Sequence, residues 1–408
     1  MRLDQVRAAL DRRLDPASRA PLAVGFSGGG DSLFLLKAVL DWARPLDRPV
    51  LALVVDHQLQ PQSAAWTAEA VAKARALGAA ALGLTWTGDK PRTGLPAAAR
   101  RARHALLATA AREAGARVLI LGHTASDLAE GVAMRAEGSS VSNPRAWAPS
   151  PVWPEGRGLF VLRPLLTLTR AEIREALARE GETWLDDPAN LDLRYARARA
   201  RAAGALAPPL PVREPPPPGV FEIDPAGAIR LPRDFVPAHL AAALLCASGA
   251  ERPPRGDRLA RLVERLRSGA RFTATLAGAR IEADQAVLIC RDAGEAARGG
   301  LARLDLAPGA CGVWDGRWEV VAGKTALAVV ALRGRTSSLT AEKRARLSAI
   351  APAVRPSLPV LLSPDGDAPG ELVLDDLQLE ADGEARVRSL VLDRFKAAVG
   401  LLDQESVT

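Results

Sequence analysis

Six residues, Ser27-Gly28-Gly29-Gly30-Asp31-Ser32, follow the apolar run 22–26 and precede the helix-compatible Leu33-Phe34-Leu35-Leu36-Lys37. This order predicts a buried strand, a glycine turn and a helix start. Backbone N–H groups and the positive end of a helix are then aimed at an anion. Glycines 28–30 remove Cβ atoms where the backbone must curl around phosphate oxygens. Asp31 narrows the chemistry further. A carboxylate in a phosphate cradle repels its ligand unless Mg2+ bridges the two. The hexapeptide therefore implies a bound metal–pyrophosphate complex, with Asp31 as the metal ligand. A kinase-type loop would instead need Gly-x4-Gly-Lys-Ser/Thr. The fragment Gly323-Lys324-Thr325 has Trp318 where that motif requires its first glycine.

Other polar groups gather at expected strand ends. Asp56-His57 closes the apolar run 49–55, where an α/β sheet places ligand contacts; capping the next helix is the alternative for Asp56. In Gly122 to Glu130, read as helix, His123, Asp127 and Glu130 fall at i, i+4 and i+7 on one face. Two carboxylates and an imidazole there can hold Mg2+ or manage protons, or form a solvated helix face. Zinc lacks a nearby Cys or second His to complete its ligand set. Arg100 and Arg103 project from one helix face and can neutralise phosphate; an exposed Arg-rich helix is the alternative. Asp186 to Asn190 reads as a turn. From Leu193 to Arg213 there is no acid, while Arg194, Arg197, Arg199, Arg201 and Arg213 surround the lone Tyr195. Guanidinium groups with one aromatic suit an RNA backbone and a stacked base; a solvated basic helix would look similar.

The elements that must carry these groups alternate. Helix over 3–14, strands at 22–26, 49–55, 80–86 and 117–122, and helices over 64–77 and 95–114 predict a doubly wound parallel sheet. Proline density over 207–219 marks a stiff linker. We expect a catalytic domain over 1–206, a substrate-binding domain over 220–300 and a C-terminal α+β domain over 301–408. The helical centre of 220–300 is expected at 237–249 and 258–268, strand-like pieces at 271–276 and 286–290, and a final helix at 389–401. Apolar content of 48% and 25% charged residues describe an ordinary globular chain. No eighteen-residue apolar stretch or signal-like opening occurs, so no membrane partner and a cytoplasmic location are expected. The net charge of +7 is carried almost wholly by arginine, so local clustering says more about partners than the total does. Cys246, Cys290 and Cys311 are too scattered for a disulfide framework.

Ser-Gly-Gly-x-Asp-Ser resembles the signature of PP-loop ATP pyrophosphatases, which cleave ATP between the α and β phosphates and transfer AMP. The resemblance then narrows. Asp56-His57-Gln58-Leu59-Gln60-Pro61-Gln62-Ser63 is similar to the Asp-His-Gly-Leu-Arg-x-x-Ser stretch of tRNA(Ile)-lysidine synthetases. Residues 98–103 are similar to their Ala-Ala-Arg-x-x-Arg helix, and His123 to Glu130 to their His-His-x-Asp-Asp-x-x-Glu block. Arg163-Pro164-Leu165-Leu166, Trp184 to Asn190 and the Arg197–Arg201 pair resemble the end of their catalytic domain. Residues 220–408 resemble the family only through Arg280 to Arg291 and Trp314-Asp315-Gly316-Arg317. Departures from the pattern stand at Gln60, Thr124, Ser126 and Ala198, and in the loop from Glu137 to Glu155.

This resemblance implies ATP and Mg2+ as cofactors and tRNA-Ile and free L-lysine as substrates. AMP is placed on the wobble cytidine of a CAU anticodon, then displaced by the lysine amine. It also implies nucleotide contacts from the hexapeptide, Asp56 and His123, an amine pocket at Asp127 and Glu130, and Arg100 or Arg103 beside the activated base. RNA contacts would come from Arg163, Arg194, Arg197 and Arg201. The absence of cysteine before Cys246 favours an amine over a sulfur nucleophile. A homodimer is compatible with the sequence. Two alternatives stand beside this: a PP-loop paralogue activating another RNA or small-molecule acceptor, and a decayed RNA-binding member.

Overall fold

The computed structural model describes residues 2–139, 143–185, 196–202, 219–254, 256–363, 371–372 and 385–405. Asp186 to Tyr195, with Arg194, and the prolines of 208–218 lie outside the described residues; so do Arg213 and the side chain of Arg197. Two compact units emerge, one of residues 1–214 with 402–408, the other of 215–401.

The first unit runs α1 (Arg2–Asp11), β1 (Leu22–Gly25), α2 (Gly30–Ala43), β2 (Val50–Asp56), α3 (Ser63–Ala76), β3 (Ala80–Thr85) and α4 (Leu95–Glu113). It continues with β4 (Val118–Leu121), α5 (Ala125–Ala136), β5 (Trp147–Pro149), β6 (Phe160–Leu162), α6 (Arg170–Arg179) and α7 (Ala196–Ala202). The sheet order is β3-β2-β1-β4-β6-β5, parallel except for β5 at the edge. From β1 the chain winds outward to β3 and then crosses to β4 on the other side. The crevice between β1 and β4 is therefore a topological switch point, where such sheets bind ligands.

Both faces of the central strands β1, β2, β4 and β6 are covered, which is why they read as continuous apolar runs, whereas β3 is largely exposed. Leu22, Val24, Val50, Ala52, Val54, Val118, Ile120 and Leu162 pack with α1, α2, α3 and α6. Their neighbours Ala23, Leu53, Leu119, Leu121 and Val161 point the other way, onto α4. Period-two alternation thus persists, with apolar residues in both phases.

Residues 402–405 return to this unit and pack against the segment that follows α1, residues 12–18. Trp147 Nε1 donates to Leu402 O at 2.8 Å, and Glu405 N to Arg13 O at 2.8 Å. The Glu405 carboxylate takes Arg48 Nη2 at 2.5 Å, both side chains being fully shielded from solvent. Ser18 Oγ and Asp15 N complete its shell, while Arg48 also donates to Ala20 O and Asp15 O.

The second unit is built from small antiparallel sheets. In order it contains β7 (Glu222–Ile223), β8 (Ile229–Leu231), α8 (Pro237–Ser248), α9 (Asp257–Arg267), β9 (Phe272–Leu276), β10 (Ala279–Ala283) and β11 (Val287–Arg291). Then come β12 (Leu304–Leu306), β13 (Cys311–Trp314), β14 (Trp318–Val321), β15 (Leu327–Ala331), α10 (Ala341–Ser348), β16 (Pro359–Leu362), β17 (Glu371–Leu372), β18 (Arg386–Ser389) and α11 (Val391–Val399). The sheets are β7-β8-β11-β10-β9, β12-β15-β16-β17 and β13-β14-β18. A buried ionic node joins the β13–β14 turn to β11. Asp315 accepts from Arg291 Nε and Nη2, from Arg317 Nε at 2.8 Å and from Leu301 N.

Candidate active site

The glycine turn sits where β1 meets α2, as the hexapeptide requires. Ser27 and Ser32 tie it from within: Ser27 N donates to Ser32 Oγ at 3.2 Å, the two hydroxyls lie 3.1 Å apart, and Ser32 Oγ donates to Gly29 O at 2.9 Å. Gly29 is the N-cap of α2, and no side chain caps its first turn. The amides there are therefore left for a ligand. Gly28 has φ +78°, a left-handed conformation that disfavours any side chain. A Cβ at Gly28 would also lie 2.6 Å from Leu185 Cδ1, because Leu185 folds over the turn and donates its N–H to Gly28 O at 3.0 Å.

Asp31 opens α2 and is mostly buried. Its Oδ2 accepts from Arg170 Nε at 3.1 Å. Its Oδ1 is buried with no hydrogen-bond partner. Burial raises the Asp31 pKa above the usual carboxylate range, and Arg170 opposes that rise. An unpartnered, desolvated carboxylate oxygen facing a phosphate cradle is the donor a hard divalent cation takes. No group of three His, Cys, Asp or Glu among the described residues could hold a metal by itself.

Across the switch point, α5 begins at Ala125, so His123 precedes the helix. The shared helical face expected for His123, Asp127 and Glu130 is thus corrected. Thr124 is the N-cap and forms a capping box with Asp127: Asp127 Oδ2 accepts Thr124 N at 2.8 Å and Thr124 Oγ1 at 3.0 Å. Asp127 and Glu130 nonetheless meet on Arg170, while His123 turns to Arg163. His123 Nδ1 accepts from Arg163 Nε at 3.3 Å, which in a neutral ring leaves the proton on Nε2. Glu130 Oε1 accepts Arg170 Nη1 and Arg201 Nε, each at 2.9 Å. Burial works to raise the Glu130 pKa, but the bonds from Arg201 and Arg170 prevail and hold it below the usual range.

Arg170, the first residue of α6, escaped the sequence reading, yet it links Asp31, Asp127 and Glu130. A signal was present: Thr169-Arg170-Ala171-Glu172 is a capping box that announces a helix start just past a strand end. The departures at Thr124 and Ser126 also acquire roles. Thr124 caps α5, and Ser126 Oγ accepts the Arg170 N–H at 3.1 Å. Ala198 is buried on α7, and Gln60 borders a cleft of about 370 Å³ beside Asp56.

Asp56 ends β2 and accepts Gln58 N at 2.7 Å; it does not cap α3, whose N-cap is Gln62. Arg100, Arg103 and Arg163 form a cationic neighbourhood around His104. Arg163 is buried and donates to Arg145 O at 2.8 Å, which corrects the RNA contact expected of it; burial, then Arg100 and Arg103, bring its pKa down to about 10. His104 is 4% exposed. Burial, then Arg103, Arg100 and Arg163, push its pKa down to about 2. An unfolded chain would protonate this imidazole near the ordinary histidine value, whereas the folded one resists. The His104 contribution to stability is therefore complete above roughly pH 6.5 and lost as pH falls. We expect the His104→Leu variant to lose stability between pH 6 and 5 less steeply than wild type, by up to about 1.4 kcal/mol per pH unit. Denaturant melts at the two pH values check this, and parallel slopes would exclude it.

Arg201 lies on α7 against Glu130, while Arg199 pairs with Glu137. Arg197 shares that helix, but its side chain lies outside the described residues.

Residues 3–205 match the PP-loop domain family. Over all 408 residues and the whole of the relative, the chain is 97% identical to a tRNA(Ile)-lysidine synthase of Caulobacter vibrioides. Others of that name are more distant: 36% identity in Hyphomonas neptunium, over 67% of this chain and 80% of the relative. The Brucella ovis protein is 35% identical over 72% of each. A glycine turn that presents uncapped amides and an unpaired Asp31 oxygen, inside a sequence this close to its relatives, belongs to the tRNA(Ile)-lysidine synthase family.

Proposed function

We propose that this chain builds lysidine on isoleucine tRNA at the expense of ATP, as an AMP-forming C–N ligase. The 2-oxo group of the wobble cytidine in a CAU anticodon attacks the α-phosphorus, and pyrophosphate leaves. The amine of free lysine then attacks C2; the C–N bond forms, and the C–O bond to AMP breaks. Adenylylation matters because it turns a poor leaving oxygen into a good one.

The uncapped first turn of α2 is the observation that carries this reading, since its amides need an anion. In the proposal Ser27 to Ser32 hold the phosphates, with Asp56 and His123 lining the nucleotide side. Asp31 would hold Mg2+, which when bound offsets the charge of the phosphates and of the leaving pyrophosphate. Asp127 and Glu130 take the lysine ammonium, and one of these carboxylates accepts its proton as the C–N bond forms. Arg100 and Arg103 stand beside the activated base, with Arg163 fixing His123. Arg194 and Arg197 serve the RNA, Arg201 stays with Glu130, and residues 220–300 extend the tRNA contact. The reading puts the enzyme in the cytoplasm, as a monomer or homodimer. No described helix is long and apolar enough to cross a membrane.

ATP–pyrophosphate exchange with and without a CAU-anticodon tRNA-Ile transcript tests the proposal. Exchange that requires the transcript is the expected result. Exchange without it would point to a small-molecule acceptor, and none under either condition to an RNA-binding protein without catalysis.

A further inference from the structure

Arg170 touches three carboxylates at once. Nε donates to Asp31 Oδ2 at 3.1 Å, Nη1 to Glu130 Oε1 at 2.9 Å and Nη2 to Asp127 Oδ1 at 3.4 Å. Its backbone is fixed by Ser126 Oγ and by the Thr169–Glu172 capping box, so the base of the side chain cannot drift. Burial opposes its charge, but the carboxylates, led by Glu130, more than offset that cost. In the proposed reaction these same carboxylates serve two separate ligands: Asp31 the metal–nucleotide, Asp127 and Glu130 the amine.

We propose that Arg170 stands in for both cationic ligands, and that its release couples nucleotide binding to lysine binding. This rests on the assignment of Asp127 and Glu130 as the amine site. A lysine ammonium entering there must displace Nη1 and Nη2. The guanidinium is planar and its donors are rigidly spaced, so its three bonds hold and loosen together. While Asp31 grips Nε, the fork is anchored at a third point and displacement is costly. A metal–nucleotide on the free Oδ1 draws the carboxylate's charge toward the cation and so weakens the Oδ2 anchor of Nε. Its polyphosphate, still negative with one divalent cation, offers the freed guanidinium another partner. Glu130 meanwhile keeps Arg201, so the emptied pocket still carries fixed charge compensation. The amine is thus admitted after the nucleotide, and a lone lysine faces an occupied site.

Calorimetric titration of L-lysine into the full-length protein, with and without Mg2+ and a non-hydrolysable ATP analogue, reads the coupling directly. In wild type the nucleotide should tighten lysine binding about tenfold, within the usual span of coupling between sites. The Arg170→Met variant should bind lysine without nucleotide as tightly as wild type does with it, and respond little to nucleotide. Weaker lysine binding by Arg170→Met in both conditions, or an undiminished nucleotide effect, overturns the proposal. If methionine prevents folding, Arg170→Lys carries the test, since it keeps the charge and loses the fork. Its coupling must fall clearly below wild type, and unchanged coupling sinks the idea. A wild-type protein that binds the nucleotide analogue but never lysine refutes the amine site itself, and the coupling with it.

Discussion

Replacing Asp31 by alanine is expected to lower the rate of AMP transfer about a thousandfold, as loss of one preorganised charge-stabilising group does. Binding of tRNA should be essentially unchanged. Two deficits add in this variant. The site loses the buried oxygen that awaits a metal, and Arg170 loses its Nε partner. Asp31→Asn separates them, since the amide oxygen can still accept from Arg170 but carries no charge for a cation. Exchange kinetics should place Asn close to Ala, with filter binding of the transcript as the control. Turnover near the wild-type rate in either variant would remove Asp31 from the mechanism.

A second large effect is expected far from the chemistry. Asp315→Ala leaves Arg291 and Arg317 facing each other without their shared carboxylate, in a node whose side chains are all less than one-tenth exposed. Removing one partner of a buried ion pair costs about 3–5 kcal/mol, because the remaining charge stays desolvated. For a unit of this size the melting transition should drop by on the order of 10 °C. Gly316 and Gly249 meet so closely that a Cβ at residue 316 would lie 2.2 Å from Gly249 O, so the turn cannot relax to relieve the repulsion. Differential scanning calorimetry should show the loss in the second unit, with nucleotide binding by the first retained. A shift of only a degree or two would mean that water or a rearranged turn satisfies both arginines.

The parallel sheet was readable because its central strands are apolar in both phases, and because the helices between them are long enough to recognise by length. Strand and helix limits in the first unit match the expected spans to within a few residues. Between Arg271 and Cys290 the reading finds two strands and misses β10 between them, where Arg280 and Glu282 alternate with Ala279, Ile281 and Ala283. Those two charges face each other on the exposed side of a half-buried strand, so their polarity hid the pattern. At the site, the glycine turn was legible from residue type alone. Arg170 was not, because its role depends on three contacts from α2 and α5 that no spacing within its own segment can reveal. The helical reading of His123 failed for a local reason: Thr124 outcompetes it as the cap that sets where α5 begins. Nothing in the composition of 402–405 announces its return to the first unit, where a single carboxylate meets one buried arginine.

That return sets an order on biosynthesis. Arg48 emerges from the ribosome early, but Glu405 appears only after the whole of the intervening unit (Pro215–Leu401) has been translated. Until then Arg48 lacks its carboxylate partner, and residues 12–18 lack the segment that packs against them. That ion pair can therefore close only once nearly the whole chain has been made.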